Sequence, residues 1–342
     1  MTARDTDWDG VRLHVVTGKG GTGKTTVAAA LALALAGSGR KVLLIEVEGR
    51  QGIARLFDSP PLPYAERKVA IGQGGNGDAS TPGGDVYALA IDPEGALLDY
   101  LAMFYGMRSA GKALTRVGMV DFATAIAPGL SDVLVTGKAT EAARRRARGG
   151  SGAGAGSRYV YDAVVMDAPP TGRIGRFLNV TTEVSDLAKV GPIRAHADTV
   201  ANVIRSPQTA VHFVCTLEEM PVQETLDGIA ELRKIKGIQV GGVIVNMARP
   251  ALLDADEPHQ DPDLPALAQA LAAAGLRDAG QLAADLAGEL AEHADWVELQ
   301  DRERAELDAA GQPTYELPLI TEGIDLAALY RLAAELRNQG AA

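Results

Sequence analysis

Residues 18–25 read GKGGTGKT and fit the pattern G-x-x-x-x-G-K-[ST], in which a lysine and a hydroxyl residue follow a run of small residues. Small residues allow the backbone to wrap closely around a phosphate group, with several N–H groups directed at its oxygen atoms. We expect Lys24 to reach the β- and γ-phosphates of a nucleotide, and the Thr25 hydroxyl to ligate Mg²⁺. The expected nucleotide-binding residues of this segment are Gly18, Gly20, Gly21, Thr22, Gly23, Thr25 and Thr26.

Carboxylate residues stand at the ends of two later apolar runs. Glu46 and Glu48 close the second run, and Asp167 follows a run near the middle of the chain. Glu48 could orient or deprotonate an attacking water molecule, or hold Mg²⁺ through a water; a solvated position at a strand end is the alternative for both glutamates. Asp167 stands where a second magnesium-binding carboxylate belongs, and the Pro-Pro-Thr-Gly after it could sense the γ-phosphate.

Asn246 ends a further apolar run. An asparagine amide can pair with N6 and N7 of adenine at the same time, so Asn246 is our candidate for recognition of the adenine base. The alternative is that it only caps a turn. Together with the phosphate-binding segment, these residues predict ATP and Mg²⁺ as the cofactors.

Short apolar runs alternate with helical segments along the chain and predict the elements that position these groups. The runs are rich in Val, Ile and Leu, as strands buried on both faces should be. The alternation predicts an α/β fold with a doubly wound, mostly parallel sheet, in which ligands gather at the carboxyl ends of the strands. The predicted strands are 11–17, 41–47, 86–91, 161–166, 211–216, 241–246 and 314–317, and a helix is predicted over 25–36.

The composition disfavours several classes of function. The chain has 342 residues and a net charge of −11, so it lacks the basic excess that nucleic-acid binding requires. Its single cysteine, Cys215, excludes disulfides within one chain and favours a cytoplasmic location. No apolar run approaches the roughly 20 residues that span a bilayer, so we expect no stable membrane insertion.

We interpret residues 1–342 as a single domain that carries an inserted helical subdomain at 93–148. Segments 73–85 and 149–157 are rich in small and polar residues and are predicted to be flexible loops. Methionine and aromatic residues in the subdomain could either hold a hydrophobic client helix or form its own core.

The last third of the chain is predicted to be mainly helical. Residues 264–310 should form two or three helices that pack on the sheet. The amphipathic helix 326–337 should pack on the core, because its polar face mixes both charge signs; membrane attachment is the alternative. The five histidines lack metal-ligand spacing, and we assign them no chemistry.

Several motifs, in order over most of the chain, resemble the arsenical-pump-driving and guided-entry-of-tail-anchored-proteins ATPases, in an actinobacterial-type branch. This family belongs to the P-loop ATPases with a deviant Walker A motif, which carry a second lysine at the position of Lys19. The motifs are GKGGTGKTT (18–26), IDPEGALLDY (91–100), APGLSD (127–132), DAPPTGR (167–173), EEMPVQET (218–225), VIVN (243–246) and LPLI (317–320).

The resemblance implies a Mg²⁺-dependent ATPase in which ATP drives the opening and closing of a dimer. Lys19 would reach across the interface to the partner's nucleotide, and Pro318 would line the nucleotide site. The partner subunit would be a second copy or a paralogous ATPase, because each chain holds one phosphate loop. A hydrophobic or membrane-protein client would be handled by the helical subdomain.

The sequence departs from the family at two places. The family's switch-I motif reads Asp-Pro-Ala-His, whereas this chain has Glu48-Gly-Arg-Gln51, which keeps the charge on a side chain one methylene longer. Slow or partner-dependent hydrolysis is one consequence to expect. The zinc-binding cysteine pair and the arsenite-sensing cysteines of the family are absent, so we do not expect metalloid transport.

Three alternatives remain open at this stage. The first is a MinD- or ParA-like positioning ATPase that acts on a membrane or nucleoid. The second is a metabolic ligase or reductase of the same fold. The third is a nucleotide-binding scaffold with little hydrolysis, which the altered switch I makes more plausible.

Overall fold

The computed structural model describes residues 8–74, 83–92, 94–96, 98–99, 128–147, 159–179, 192–250 and 263–342. Within these residues, one sheet contains eight strands in the order β3-β4-β2-β5-β1-β6-β7-β8. The strands are β1 (Leu13–Gly18), β2 (Val42–Glu46), β3 (Arg67–Ile71), β4 (Asp85–Ala90), β5 (Ala163–Asp167), β6 (Thr209–Cys215), β7 (Val240–Ala248) and β8 (Thr314–Pro318).

The described helices cover both faces of this sheet. They are α1 (Lys24–Ala36), α2 (Gly52–Leu56), α3 (Pro128–Arg144), α4 (Thr171–Leu178), α5 (Pro192–Ile204), α6 (Glu219–Arg233), α7 (Leu264–Ala273), α8 (Ala279–Ala309) and α9 (Leu326–Asn338).

Successive residues of a strand point to opposite faces of the sheet and belong to two separate apolar cores. Leu43 and Ile45 of β2 face the layer of α3, α4, α5 and α6, whereas Val42 and Leu44 face the layer of α1 and α9. Strand pairs are parallel except β3 with β4. The fold is therefore an α/β, doubly wound, mostly parallel sheet, and the predicted fold class is confirmed.

The edge strand β3 was absent from the predicted strands. Its residues, RKVAI, are only partly buried, and it pairs antiparallel with β4 through an irregular register. The strand prediction relied on continuous apolar runs, which are typical of strands buried on both faces. A short, half-exposed edge strand lacks that signal.

Helix α1 lies between the sheet and α9, and the residues from Val27 to Ala36 are all buried. Alanine side chains let both neighbours approach it closely. The apolar face of α9, which includes Leu329, Leu332 and Leu336, packs into the same core. The prediction that the last helix packs on the core is therefore confirmed.

The expectation that the helices of 264–310 pack on the sheet is largely wrong. Helix α7 has no buried residue, and α8, 31 residues long, buries only Ala283, Gln300, Glu303 and Leu307 among its described positions. The two helices pack mainly against each other, so most of their apolar residues stay partly exposed.

Most of the predicted subdomain at 93–148 lies outside the described residues, apart from α3 and a few positions before it. Residues 75–82 of the first predicted loop and the whole of 149–157 also lie outside them. In the part of the chain that the structure describes, no helix has the length and apolar character needed to cross a membrane.

Two histidines are buried together in the sheet. Nδ1 of His14 lies 3.1 Å from Nε2 of His212, both residues are fully buried, and the Trp8 ring packs on them. Burial lowers the pKa of His14 to about 3, with a smaller contribution from Arg40, and burial also lowers the pKa of His212. Both imidazoles are therefore neutral in the folded protein near neutral pH.

Acid should therefore weaken the fold through this pair. Below about pH 6.5 the two histidines become protonated in the unfolded chain but stay neutral in the folded protein. Each histidine therefore lowers the free energy of unfolding by about 1.4 kcal/mol for every unit by which the pH falls. Urea unfolding from about pH 7 to about pH 5 should show a steeper loss in the parent chain than in a His14→Leu, His212→Leu double variant. Equal slopes would contradict this role.

Candidate active site

The loop between β1 and α1 is shaped to receive an anion. Thr22 closes it, because its hydroxyl donates to the carbonyl oxygen of Lys19 at 2.9 Å. Gly23 stands at the N-cap of α1 and offers no side chain to cap the first N–H groups of the helix. Those groups and the helix dipole favour a bound phosphate. Lys24, the first residue of α1, is only 9% exposed.

Two glycines of this loop are required by close approaches. A Cβ atom at Gly18 would collide with the carbonyl oxygen of Val214 on the neighbouring strand β6. Gly23 has a φ of 83°, and a Cβ there would collide with the side-chain amide of Asn246. That amide donates to the carbonyl oxygen of Thr22 at 2.9 Å, so Asn246, two residues before the end of β7, holds the loop in place.

A Gly23→Ala substitution should therefore damage the loop. The left-handed backbone and the collision with Asn246 predict a loss of about 2 kcal/mol of stability and a clear loss of nucleotide affinity. Gly280→Ala is the matched control, since Gly280 lies outside the loop, is exposed, and has no atom within 4 Å of the position that an added Cβ would take. Thermal unfolding and calorimetric titration of both variants would test this; equal behaviour of the two would contradict it.

Asp167 meets the loop from the end of β5. The Thr25 hydroxyl donates to its Oδ2 atom at 2.6 Å, while its Oδ1 atom is buried and accepts no hydrogen bond from the described residues. Burial raises the pKa of Asp167 to about 6; Thr25 and Lys24 oppose the shift, and Glu46 and Glu48 add to it. The carboxylate is thus costly to keep charged here unless a cation compensates it.

Glu46 lies closer to the centre of the site than its position at a strand end indicated. It pairs in register with Asp167 across β2 and β5, and it is only 2% exposed, so the solvated alternative is wrong for it. Its Oε2 atom accepts from the N–H of Ile53 at 3.1 Å, and its Oε1 atom is buried without a hydrogen bond from the described part of the chain. The spacing of Glu46 and Glu48 was the available signal.

These groups fit a magnesium ion. Mg²⁺ prefers oxygen ligands, usually one or two carboxylates together with water and substrate phosphates. Thr25 and Asp167 supply a hydroxyl and a carboxylate beside the phosphate loop, and one oxygen each of Asp167 and Glu46 faces no donor among the residues that the structure describes. The residues present therefore suit the group that the motif implies.

Glu48 lies just beyond β2 and lines a cavity of about 220 Å³. Its carboxylate is 3.6 Å from Arg50, and its negative charge contributes to the raised pKa of Asp167. Pro169 and Arg173, which follow Asp167 in the chain, line the same cavity. Glu48 is therefore on the side of the loop that carries Asp167, beside the segment predicted to sense the γ-phosphate.

The remaining predicted residues are distributed around the loop. Gly20 and Gly21 are exposed at its tip, and Thr26 is partly buried in the first turn of α1. Lys19 forms an ion pair with Glu224 of α6 at 3.0 Å. Pro318 is exposed at the end of β8 and pairs with Ala248 of β7, two residues after Asn246.

Comparison with known proteins identifies the family of the chain. The family model described as anion-transporting ATPase matches residues 11–203, more than half of the chain. The chain belongs to the anion-transporting ATPase family. The structural positions of the phosphate loop, Glu48 and Asp167 all fall inside the matched region.

Relatives of this chain include proteins with the names that the sequence motifs suggested. ATPase BagA of Mycobacterium tuberculosis is 50% identical over 335 residues, which cover 97% of this chain and 94% of the relative. ATPase get3 of Botryotinia fuckeliana is 26% identical over 227 residues, 66% of this chain and 58% of the relative. A Halobacterium salinarum protein named as an arsenical pump-driving ATPase is 25% identical over 257 residues, 68% of this chain and 35% of its own length.

The resemblance to the arsenical-pump-driving and tail-anchored-protein-targeting ATPases is thus confirmed, and membership of an ATPase family implies nucleotide binding. The roles of individual residues stay predictions. For Asn246 the structure adds a constraint on our prediction, because one N–H of its amide already binds the loop. Recognition of adenine would rely on the rest of that side chain.

Proposed function

We propose that this member of the anion-transporting ATPase family hydrolyses ATP in a Mg²⁺-dependent reaction at the loop of residues 18–25. The observation that carries the proposal is the contact between Thr25 and Asp167, at 2.6 Å, directly beside the buried Lys24. A phosphate-binding loop, a lysine and a hydroxyl–carboxylate pair with an oxygen left for a metal are the parts that phosphoryl transfer to water requires.

Each residue has a distinct task in this proposal. The loop N–H groups and Lys24 bind the phosphates and stabilise the charge that develops on the γ-phosphoryl oxygens. Thr25 and Asp167 would hold Mg²⁺, which when bound neutralises phosphate charge. Glu48 orients the attacking water and accepts its proton, and Pro169–Gly172 respond to loss of the γ-phosphate.

The active form in this proposal is a dimer of two such chains, or of this chain and a paralogous ATPase. Lys19 would act on the partner's nucleotide, as the family resemblance implies. Opening and closing of the dimer would change the helical region around α3, where a hydrophobic or membrane-protein client would be handled. Arg173 of α4 lies 3.8 Å from Asp132 of α3. This ion pair would transmit a movement of the segment after Asp167 to the helical region.

Removal of the metal tests the proposal. Phosphate release by the purified chain should require Mg²⁺ and should fall about 100-fold in excess chelator, because the ion supplies several kcal/mol of charge stabilisation. Restoring free Mg²⁺ should restore the rate. Phosphate release at one rate under both conditions would refute metal dependence, and none under either would refute hydrolysis by this chain alone.

A further inference from the structure

The Lys19 ammonium group is held inside its own chain. Its Nζ atom lies 3.0 Å from Oε1 of Glu224, which stands in the second turn of α6. Neither side chain is buried, with exposures of 29% and 38%. The contact joins the tip of the phosphate loop to a helix that is about two hundred residues away along the chain.

Helix α6 is in turn packed tightly on α4, the helix that follows Asp167. Gly228 of α6 meets the Thr171 side chain of α4 with no space for a Cβ atom, and the carboxylate end of Glu231 of α6 lies over Gly175 of α4. We expect these close contacts at a glycine of each helix to make the two helices move together, because packed interfaces resist gradual deformation. A shift of the segment after Asp167 would therefore reach Glu224.

We propose that Glu224 is a positioning residue that retains Lys19 in its own chain until a second subunit docks. The inference rests on the proposed function, in which Lys19 acts on the partner's nucleotide. Movement of α4 on nucleotide binding displaces α6 and loosens the contact, and the partner's nucleotide then draws the ammonium group across the interface when the subunits dock. The ion pair thus opposes dimerisation until Glu224 gives up Lys19.

The exposure of the pair suits such a release. A partly exposed ion pair shifts an equilibrium by only a few-fold, since water and salt screen it. The several negative charges of a nucleotide's phosphates are a stronger competitor for the same ammonium group. A fully buried pair would be too costly to open in each cycle.

Glu224→Gln removes the charge and keeps the shape of the side chain. The variant should raise the association constant of the dimer formed with a non-hydrolysable ATP analogue about two- to fivefold, measured by analytical ultracentrifugation. Asp227→Asn is the matched control, because Asp227 is also exposed on α6 and accepts from Gln223. It should leave the association constant unchanged.

A double-mutant cycle separates positioning from a general effect on the helix. In a Lys19→Ala background, Glu224→Gln should not raise the association constant of the dimer further. A rise that persists in that background, or a weaker dimer in the Glu224→Gln single variant, would overturn the proposal. An equal rise of the association constant in Asp227→Asn would overturn it as well.

The ion pair can also be tested without nucleotide or dimer. Lys19 in the nucleotide-free chain should react faster with an amine-acylating reagent in Glu224→Gln than in the parent or in Asp227→Asn, as read by mass spectrometry. Unchanged reactivity would show that Glu224 does not retain Lys19.

The failure of this inference can be told apart from a failure of the proposed function. If the parent chain binds no analogue, the proposed function fails. If the parent chain binds the analogue and dimerises but the variants behave alike, only the role of Glu224 fails.

Discussion

The Glu48→Gln variant is expected to bind ATP with the affinity of the parent chain and to hydrolyse it about 10²- to 10⁴-fold more slowly. Glutamine has nearly the same size as glutamate, so the cavity that Glu48 lines with Pro169 and Arg173 should persist. An amide cannot accept the proton of the attacking water. The loss should therefore appear in turnover and leave binding intact, which single-turnover kinetics and calorimetry can separate.

Glu48→Asp is the control for this experiment. It keeps the carboxylate and restores the shorter side chain of the family's switch-I motif, so turnover should stay within about tenfold of the parent rate. The three-way comparison distinguishes charge from length. If Glu48→Gln hydrolyses ATP as fast as the parent, another group activates the water and the role of Glu48 is refuted.

Lys24→Met should lower ATP affinity about 10- to 100-fold and turnover by about 10²- to 10³-fold. Methionine fills the space of the buried lysine stem, which limits any packing defect. The charge-assisted hydrogen bonds to the phosphates are lost. The positive charge that opposes the raised pKa of Asp167 is lost as well, so protons should compete better with the metal at that carboxylate.

Lys68→Met supplies the matched comparison for Lys24→Met. Lys68 lies on the edge strand β3, is 44% exposed, and pairs with Asp85, away from the phosphate loop. Its loss should change neither ATP affinity nor turnover. Phosphate release and calorimetric titration of the two variants, side by side, check the prediction; equal ATP affinities would remove Lys24 from the nucleotide site.

The parts of the site that are encoded locally could be predicted from the sequence. The phosphate loop needs small residues, a lysine and a hydroxyl residue at fixed spacing, and these are adjacent in the chain. Asp167 was predicted from its place at the end of an apolar run, because parallel strands end at one edge of a sheet. The contact between Asp167 and Thr25 then follows from β5 being the neighbour of β1.

Contacts between distant segments could not be predicted in this way. The burial of Glu46 depends on its register with Asp167 and on the N–H of Ile53, neither of which a strand-end position reveals. The ion pair of Lys19 with Glu224 likewise depends on where α6 packs. Sequence patterns report faces and ends of elements, while partners across the fold are set by tertiary packing.

The helical hairpin of α7 and α8 shows the limit of composition. Its Ala- and Leu-rich sequence is typical of helices that cover a sheet, yet the two helices mainly cover each other. Leu264, Leu276 and Trp296 consequently remain more than a third exposed. Apolar content predicts that a helix needs a neighbour, and it does not say which neighbour.

Calorimetric titration of a non-hydrolysable ATP analogue into the purified chain tests the central claim most directly. We predict saturable binding at one site per chain with Mg²⁺ present, weakened by a chelator and by Lys24→Met. Absence of binding with Mg²⁺ present, or binding that Lys24→Met leaves unchanged, would contradict the assignment of this loop as the nucleotide site.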